Sequence, residues 1–268
     1  MTRLTTEWIK DMESELPAWR EKLEKLCGMN LLNLAALAGD VSRGRVKSAS
    51  WRLKVAVVPV TGGLGVISTF SETVAAIVRL LGFESFVTES TDVNGFYEAS
   101  QRGATIIFFA NDDRFLAVNL AKNQVVENSD ATARGFVAAL EGASGGLRDR
   151  EVLVLGGGPV GTSAIARLKL HGASVNLYDI DSKVRRSFSK ESGVKVLNNL
   201  DTMKDYPLIV DATPAADWIS ADMLHPEVIF VSPGVPLSLQ AEAEAQVGDR
   251  LVHDLLQTGV ITMLAMAC

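Results

Sequence analysis

The chain is poor in the residues that staple or metallate a fold. Its 268 residues hold two cysteines, Cys27 and Cys268, and three isolated histidines, His171, His225 and His253. That gives neither a disulfide framework nor a metal-ligand spacing, so no metal site is expected. An excess of basic residues is missing too. Asp and Glu number 32 against 26 Lys and Arg, a formal charge of −6, whereas a protein that tracks nucleic-acid phosphates needs a basic face. Short basic stretches such as Arg43 to Lys47 read as solvated loop. No uncharged apolar run reaches the roughly 18 residues of a membrane span, and the apolar segment Leu255 to Cys268 is shorter than that. The N-terminus is charged and polar, unlike a signal peptide. The expectation is a soluble cytoplasmic protein with no nucleic-acid and no membrane partner; an oligomer is possible.

What is present is an ordinary globular balance, with chain enough for one large or two small domains. Residues 1–50 read as helical. A first helix, capped by Thr5 or Thr6, runs through Trp8, Ile9, Met12 and Leu16 and breaks at Pro17; others span Trp19 to Cys27 and Leu31 to Ala38. Strands and helices then alternate. Lys54 to Val60 reads as a buried parallel strand, Thr61-Gly62-Gly63-Leu64-Gly65 as a tight turn, and Val66 to Leu81 as a helix. Phe86 to Thr88 is a short strand, Phe96 to Gln101 a helix and Ala104 to Ala110 a strand ending on Asn111-Asp112-Asp113-Arg114. Ala121 to Asp130 reads as polar loop, Ala131 to Leu140 as a helix and Gly142 to Gly146 as a linker. Further strands fall at Glu151–Leu155, Ser174–Tyr178, Leu208–Asp211 and Val228–Val231. A helix covers Pro159 to His171, and a last one, about Leu251 to Met266, is placed to pack back on the first domain. The expected fold class is α/β: N-terminal helices (1–50), an αβ substrate domain (51–141), a second αβ domain (147–250) and a C-terminal helix (251–268). Two such αβ domains usually leave a cleft between them.

The strongest motif lies in the second domain. Val152-Leu153-Val154-Leu155 runs into Gly156-Gly157-Gly158-Pro159-Val160-Gly161, and the glycines at 156, 158 and 161 fit G-x-G-x-x-G between a strand and a helix. Gly156 permits the tight turn, Gly158 lets the backbone approach a pyrophosphate, and Gly161 allows close helix–strand packing. Pro159 and Val160 open the helix whose N-terminus favours an anion. Asp179, ending the next strand, sits where a carboxylate binds the ribose hydroxyls of NAD and repels the extra phosphate of NADP, an exclusion weakened somewhat by nearby Lys183, Arg185 and Arg186. The expectation is a Rossmann domain that binds NAD. Ala212-Thr213-Pro214 and Pro233-Gly234 follow further strands, at the strand ends where such sheets bind ligands. Thr213 and Pro214 are candidates to line a ribose and Gly234 to face the nicotinamide.

The first domain is less specific. Thr61 to Gly65 lacks the Gly-Lys-Ser/Thr ending of an ATP loop, but its backbone N–H groups suit a substrate carboxylate. Asp112 and Asp113 would face the cleft, to bind an ammonium or take a proton, or else simply cap a turn. Asp92 and Asn94 carry the same ambiguity, with capping favoured. The histidines have no suggestive neighbours. No lysine occurs between Val55 and Leu120. Amino-acid and shikimate-type dehydrogenases share this broad architecture and use a lysine in the substrate domain, so that chemistry lacks its residue.

Several runs together resemble one family. They are Val58-Pro59-Val60-Thr61, Phe70-Ser71-Glu72, Thr88-Glu89, Thr91-Asp92-Val93-Asn94-Gly95, Asn119-Leu120, the 151–161 glycine segment, Ala212-Thr213-Pro214 and Pro233-Gly234. The chain resembles the pyrrolysine-forming dehydrogenases, which complete pyrrolysine biosynthesis, over most of its length. The resemblance implies a substrate that is the amide of lysine with 3-methyl-D-ornithine. NAD would take a hydride from the carbon bearing the terminal amine, hydrolysis would release ammonia, and the aldehyde would close on the free α-amine to give the pyrroline ring. It also implies that Asp112 falls on an active-site aspartate and that Leu4 and Thr5 begin a helix that closes over the substrate. Leu4, Thr61, Gly62, Gly63, Phe70, Asp92 and Asn94 form the candidate substrate-binding set. Gly62 departs from a serine in a relative, and the Asn-Asp-Asp-Arg order leaves Asp112 in register but not Asp113. The chemistry agrees: an amine carbon yields a hydride only once the ammonium has lost a proton. Asp112 is suited to orienting that amine first and to acting as base second, because a carboxylate is a weak base at neutral pH. Excluding and then admitting water calls for a mobile lid, for which the helix from Leu4 is the candidate. Two other readings remain: an NAD-dependent dehydrogenase of another small amino or hydroxy acid, and a non-catalytic NAD-sensing module.

Overall fold

The structure is a computed structural model that describes residues 4–190 and 193–268. The chain divides into two compact units. One comprises the chain through Glu21, Asn30–Gly135 and Leu255–Cys268; the other comprises Lys22–Met29 and Phe136–Asp254.

The chain opens with α1 (Thr6–Ile9) and α2 (Met12–Cys27). The break falls at Lys10 and Asp11, and Pro17 lies inside α2 instead of ending a helix. Near a helix start the proline ring forfeits little more than one backbone bond, to the Glu13 carbonyl. α3 (Leu31–Ala38) starts on Asn30, whose side chain accepts the Asn33 N–H at 2.9 Å. The basic stretch expected to be solvated loop is α4 (Arg43–Ser50) instead. Ser42 caps it, accepting the Arg45 N–H at 3.2 Å, and Val46 and Ala49 anchor its inner face.

The first sheet is built from β1 (Lys54–Val58), β2 (Glu84–Val87), β3 (Ile106–Ala110), β4 (Phe115–Asn119) and β5 (Gln124–Glu127), in the order β2-β1-β3-β4-β5. β1 runs parallel to β2 and β3, with α5 (Phe70–Leu80) and α6 (Asp92–Gln101) as crossovers. β4 and β5 return as an antiparallel meander. The polar-loop reading of 121–130 is therefore corrected: β5 and the start of α7 (Asn128–Ser144) occupy it. An edge strand of four residues tolerates the Gln and Glu that hid it. α6 begins at Asp92, not at Phe96. The presumed linker at 142–146 is corrected in part, since 142–144 form the last residues of α7. A Cβ on Gly142 would lie 2.9 Å from the Cys27 carbonyl oxygen, so this glycine serves close packing, not flexibility. The division between the units falls inside α7, after Gly135.

The second unit carries β6 (Glu151–Leu155), α8 (Pro159–Leu170), β7 (Ser174–Tyr178), α9 (Ser182–Phe188), β8 (Val194–Val196), β9 (Leu208–Asp211), β10 (Ile229–Ser232), α10 (Ala241–Val247) and β11 (Leu251–His253). Its sheet order is β11-β10-β9-β6-β7-β8 with every pairing parallel. Counted from β6 this is 3-2-1-4-5-6, the doubly wound dinucleotide order, whose direction reverses between β6 and β9. Leu153, Leu155, Ile209 and Phe230 lie in its core. Residues 251–253, expected to be helical, are the edge strand β11. Two apolar residues are too short a run to show a period of 2 against 3.6.

The chain then returns to the first unit as α11 (Gln257–Ala267), buried on almost every side and packed on α3, α5, β4 and β5. Asn119 Nδ2 donates to the Ala267 carbonyl at 2.7 Å and Gln124 Nε2 to that of Met266 at 2.9 Å. Among the described residues no helix is long and apolar enough to cross a membrane.

Candidate dehydrogenase site

In the second unit the glycine turn leaves β6 at the switch point. Gly156 has φ +87°, and a Cβ there would lie 3.1 Å from the Ala212 carbonyl oxygen. A Cβ on Gly161 would overlap the Gly156 carbonyl, which fixes how closely α8 meets its strand. Gly158, the N-cap of α8, faces open space, with Pro159 and Val160 following in the first turn. Gly156 and Gly161 are thus held by close backbone contacts, whereas a Cβ on Gly158 would meet nothing within 4 Å.

Asp179 follows β7 and braces this turn. Its Oδ2 accepts the Gly157 N–H and its Oδ1 the Asp181 N–H, both at 2.7 Å. Arg185 is committed locally: its guanidinium donates to the carbonyls of Asp179 and Ile180 and lies 5.8 Å from the Tyr178 ring centroid.

At the end of β9, Asp211 is fully buried, and burial pushes its carboxyl group up from the ordinary range. It accepts Ser238 Oγ at 2.6 Å, Thr213 Oγ1 at 2.7 Å, the Thr213 N–H at 3.1 Å and Ser232 Oγ at 3.2 Å. Ala212 and Thr213 are half-buried and Pro214 is exposed. Pro233 is half-buried, and Gly234 is buried with its α-carbon against the Thr213 carbonyl, where a Cβ would overlap it. Sequence reasoning missed Ser232 and Ser238. The available signal was one aspartate closing an otherwise apolar strand, since a buried carboxylate must find donors.

In the first unit two carboxylates converge on the loop after β1. Asp92 Oδ1 accepts the Thr61 N–H at 2.9 Å and Oδ2 the Thr61 hydroxyl at 2.6 Å. These bonds hold the Asp92 carboxyl below its ordinary range, the hydroxyl contributing most, so it is ionised at neutral pH. Asp112 Oδ2 accepts the Leu64 N–H at 2.6 Å. Gly63 has φ +75° and a Cβ there would overlap Asp112 Oδ2. Asp112 rides the hairpin between β3 and β4, whose turn is set by Asn111 Oδ1 accepting the N–H groups of Asp113 and Arg114. Thr61, Gly63, Leu64, Asp92 and Asp112 therefore form one cluster, with Gly62 exposed on the same loop. Phe70 packs edge-on against Phe115 at 5.4 Å between centroids, Asn94 is exposed on the first turn of α6, Asp113 is exposed, and Leu4 is buried.

The remaining titratable candidates have structural partners. His171 Nδ1 lies 2.7 Å from Glu141 Oε2, His225 Nδ1 accepts the Glu227 N–H, and His253 Nδ1 contacts the Ser232 carbonyl at 2.9 Å. Cys27 and Cys268 are buried free thiols, pushed up to about 12 by burial. Among the described residues no group of three or more His, Cys, Asp or Glu side chains could hold a metal ion.

A parallel 3-2-1-4-5-6 sheet with a glycine turn at its switch point defines an α/β protein of dehydrogenase type. Residues 124–227 match the family described as alanine dehydrogenase/PNT, C-terminal domain, and residues 9–126 that described as pyrrolysine biosynthesis protein PylD, N-terminal domain. The pyrrolysine synthase of Methanosarcina barkeri is 32% identical over 267 residues, covering 98% of this chain and 97% of its own length. That of Methanosarcina acetivorans is 35% identical over 213 residues, covering 79% and 81%. The chain belongs to the pyrrolysine synthase family, an oxidoreductase family of pyrrolysine biosynthesis. Its fold is shared more widely. The bifunctional methylenetetrahydrofolate dehydrogenase/cyclohydrolase of Campylobacter jejuni superposes with a TM-score of 0.53 at 14% identity, covering 88% of this chain and 93% of its own. A shikimate 5-dehydrogenase of Thermus thermophilus, solved with NADP(H) and shikimate, gives 0.51 at 17% identity, covering 80% and 90%.

Proposed function

We propose that this chain oxidises the amide of lysine with 3-methyl-D-ornithine, using NAD, and closes the product to pyrrolysine in the cytoplasm. The observation that carries the substrate assignment is the pair of carboxylates gripping one glycine loop, Asp92 through Thr61 and Asp112 through Leu64. An anionic, pre-organised rim suits a substrate that bears ammonium groups. Thr61, Gly62 and Gly63 border it, Phe70 and Asn94 complete the substrate set, and Leu4 belongs to a closing segment.

The glycine turn fits a dinucleotide: a positive-φ residue, an unobstructed Gly158 and a helix N-terminus at the switch point. Gly156, Gly158, Pro159, Val160 and Gly161 would hold the pyrophosphate, and Asp179 the adenosine ribose. Ala212, Thr213, Pro214, Pro233 and Gly234 would line the nicotinamide half. NAD is favoured over NADP because Asp179 is a carboxylate at the ribose and Arg185 is already spent on backbone carbonyls. When bound, NAD supplies the acceptor of one hydride.

Asp112 orients the terminal amine of the substrate, with Leu64 fixing one of its oxygens, and assists loss of the ammonium proton. The amine carbon then gives up a hydride and becomes an imine. Water adds, ammonia leaves and an aldehyde remains. The free α-amine condenses with that aldehyde and one water is expelled, balancing the water consumed in the hydrolysis. The test is NADH formation from NAD and the amide, with mass spectrometry of the product. The expected mass shows loss of two hydrogens and ammonia, with the ring closed. Asp112→Ala should lower kcat by about a hundredfold or more while NADH still binds. Tight NAD binding with no turnover of this amide would remove the substrate assignment and leave a dehydrogenase of another amine, or a sensor.

A further inference from the structure

Asp211 is a buried titratable group to which the reaction above gives no task. It closes the strand Leu208-Ile209-Val210, beside Leu155 in the register of the sheet, and has no exposed surface. A carboxylate in such a place is costly unless donors surround it, and an apolar residue would serve core packing at least as well. Among the described residues its donors come from two places. Thr213 lies in the turn that follows β9. Ser232 and Ser238 lie at the end of β10 and in the loop beyond it. The Asp211 backbone adds to the same joint, because its carbonyl accepts the Gly234 N–H at 3.0 Å. Gly234 in turn lies on the Thr213 carbonyl, and the Ser232 carbonyl meets His253 Nδ1. The turn after β9 is therefore stapled to the loop after β10, next to Gly156, which approaches the Ala212 carbonyl.

We infer that Asp211 is a positioning residue for the nicotinamide half of the dinucleotide site, setting the geometry of residues 212–214 and 233–234 together without touching the cofactor. The inference rests on the NAD reading proposed above. The adenosine half is braced separately, through Asp179 and Gly157. Damage at Asp211 should therefore be felt by a whole dinucleotide and not by its adenosine fragment.

The experiment compares binding of NADH, followed by its fluorescence, with binding of ADP, followed by calorimetry, in the full chain. Asp211→Ala leaves Thr213, Ser232 and Ser238 without their acceptor. It should weaken NADH binding by roughly tenfold or more, and ADP binding by less than about twofold. Ser238→Ala should move both readings the same way with a smaller amplitude. Asp211→Asn should recover most of the NADH affinity, since one oxygen still accepts from Thr213 and the amide can donate to the serine hydroxyls. KM for NAD should rise more than kcat falls. Equal loss of NADH and ADP affinity, or wild-type NADH affinity in folded variants with a lowered melting temperature, would make Asp211 a stability element only and overturn the inference. If Asp211→Ala does not fold, Ser238→Ala and Asp211→Asn decide by the same two ligands. Failure of the wild-type chain to bind NADH would instead overturn the NAD reading itself.

Discussion

Asp92 holds Thr61 twice, by its backbone N–H at 2.9 Å and by its hydroxyl at 2.6 Å, one on each carboxylate oxygen. The aspartate has φ +54°, a conformation that Asp and Asn adopt more readily than other side chains, and its own N–H donates to the Pro59 carbonyl at 2.9 Å. Asp92→Asn keeps the backbone but removes the charge and one acceptor. We expect kcat/KM for the amine substrate to fall roughly tenfold to a hundredfold, because the loop carrying Thr61 to Gly65 loses its brace, with NADH affinity unchanged. Steady-state kinetics beside NADH titration checks both halves.

Gly63 and Gly62 should behave oppositely. Gly63→Ala adds backbone strain of about 1 kcal/mol and drives a methyl group into Asp112 Oδ2, displacing that carboxylate from Leu64. Its kcat should fall toward that of Asp112→Ala. Gly62→Ser meets only Val60 Cγ1, at 3.8 Å, and should leave the melting temperature unchanged.

The two glycines at the mouth of α8 separate ligand from fold. Gly158→Ala meets nothing within 4 Å in the protein, so its melting temperature should match the wild type while NADH binding weakens by about tenfold or more. Gly161→Ala collides with the Gly156 carbonyl and should lower both. Calorimetric melting with and without NADH distinguishes them.

Glu98 should mark the acid limit of the first unit. It accepts the N–H groups of Glu89 and Ser90 at 3.1 and 2.9 Å and pairs with Arg102 at 2.9 Å. These bonds, that of Ser90 foremost, lower its carboxyl group from 4.5 to about 2. Because the folded value lies below the unfolded one, the stabilisation is complete above about 4.5 and disappears as pH falls through about 2. Glu98→Gln should be less stable than the wild type at neutral pH, and the gap in melting temperature should close across that acid window.

The second unit was legible in the sequence nearly to the residue at β6, β7 and α8, because a glycine turn between the apolar run Val152–Leu155 and a helix has few other homes. β4, β5 and α4 were not. Two lie in polar sequence where edge position or a single cap decides the structure, and β4 follows a hairpin whose Asn111 turn resembles a loop. The spacing of Asp92 and Asp112 gave no hint that both would grip one loop. That convergence depends on β1 and β3 pairing in parallel, a contact between residues far apart in the chain. Asp211 is visible in the sequence only as the end of an apolar strand, because its network needs Ser232 and Ser238, which the folded sheet brings near.

The first unit is assembled from separated stretches of chain, and α11 is one of its innermost pieces. On the ribosome this imposes an order of events. The faces of α3, α5, β4 and β5 that α11 will cover must wait, apolar and open, while the whole of Phe136–Asp254 is synthesised. The second unit can settle first, because its sheet is continuous in the chain. A nascent chain stalled within it would therefore carry an incomplete first unit with those apolar faces still open, a species prone to aggregation.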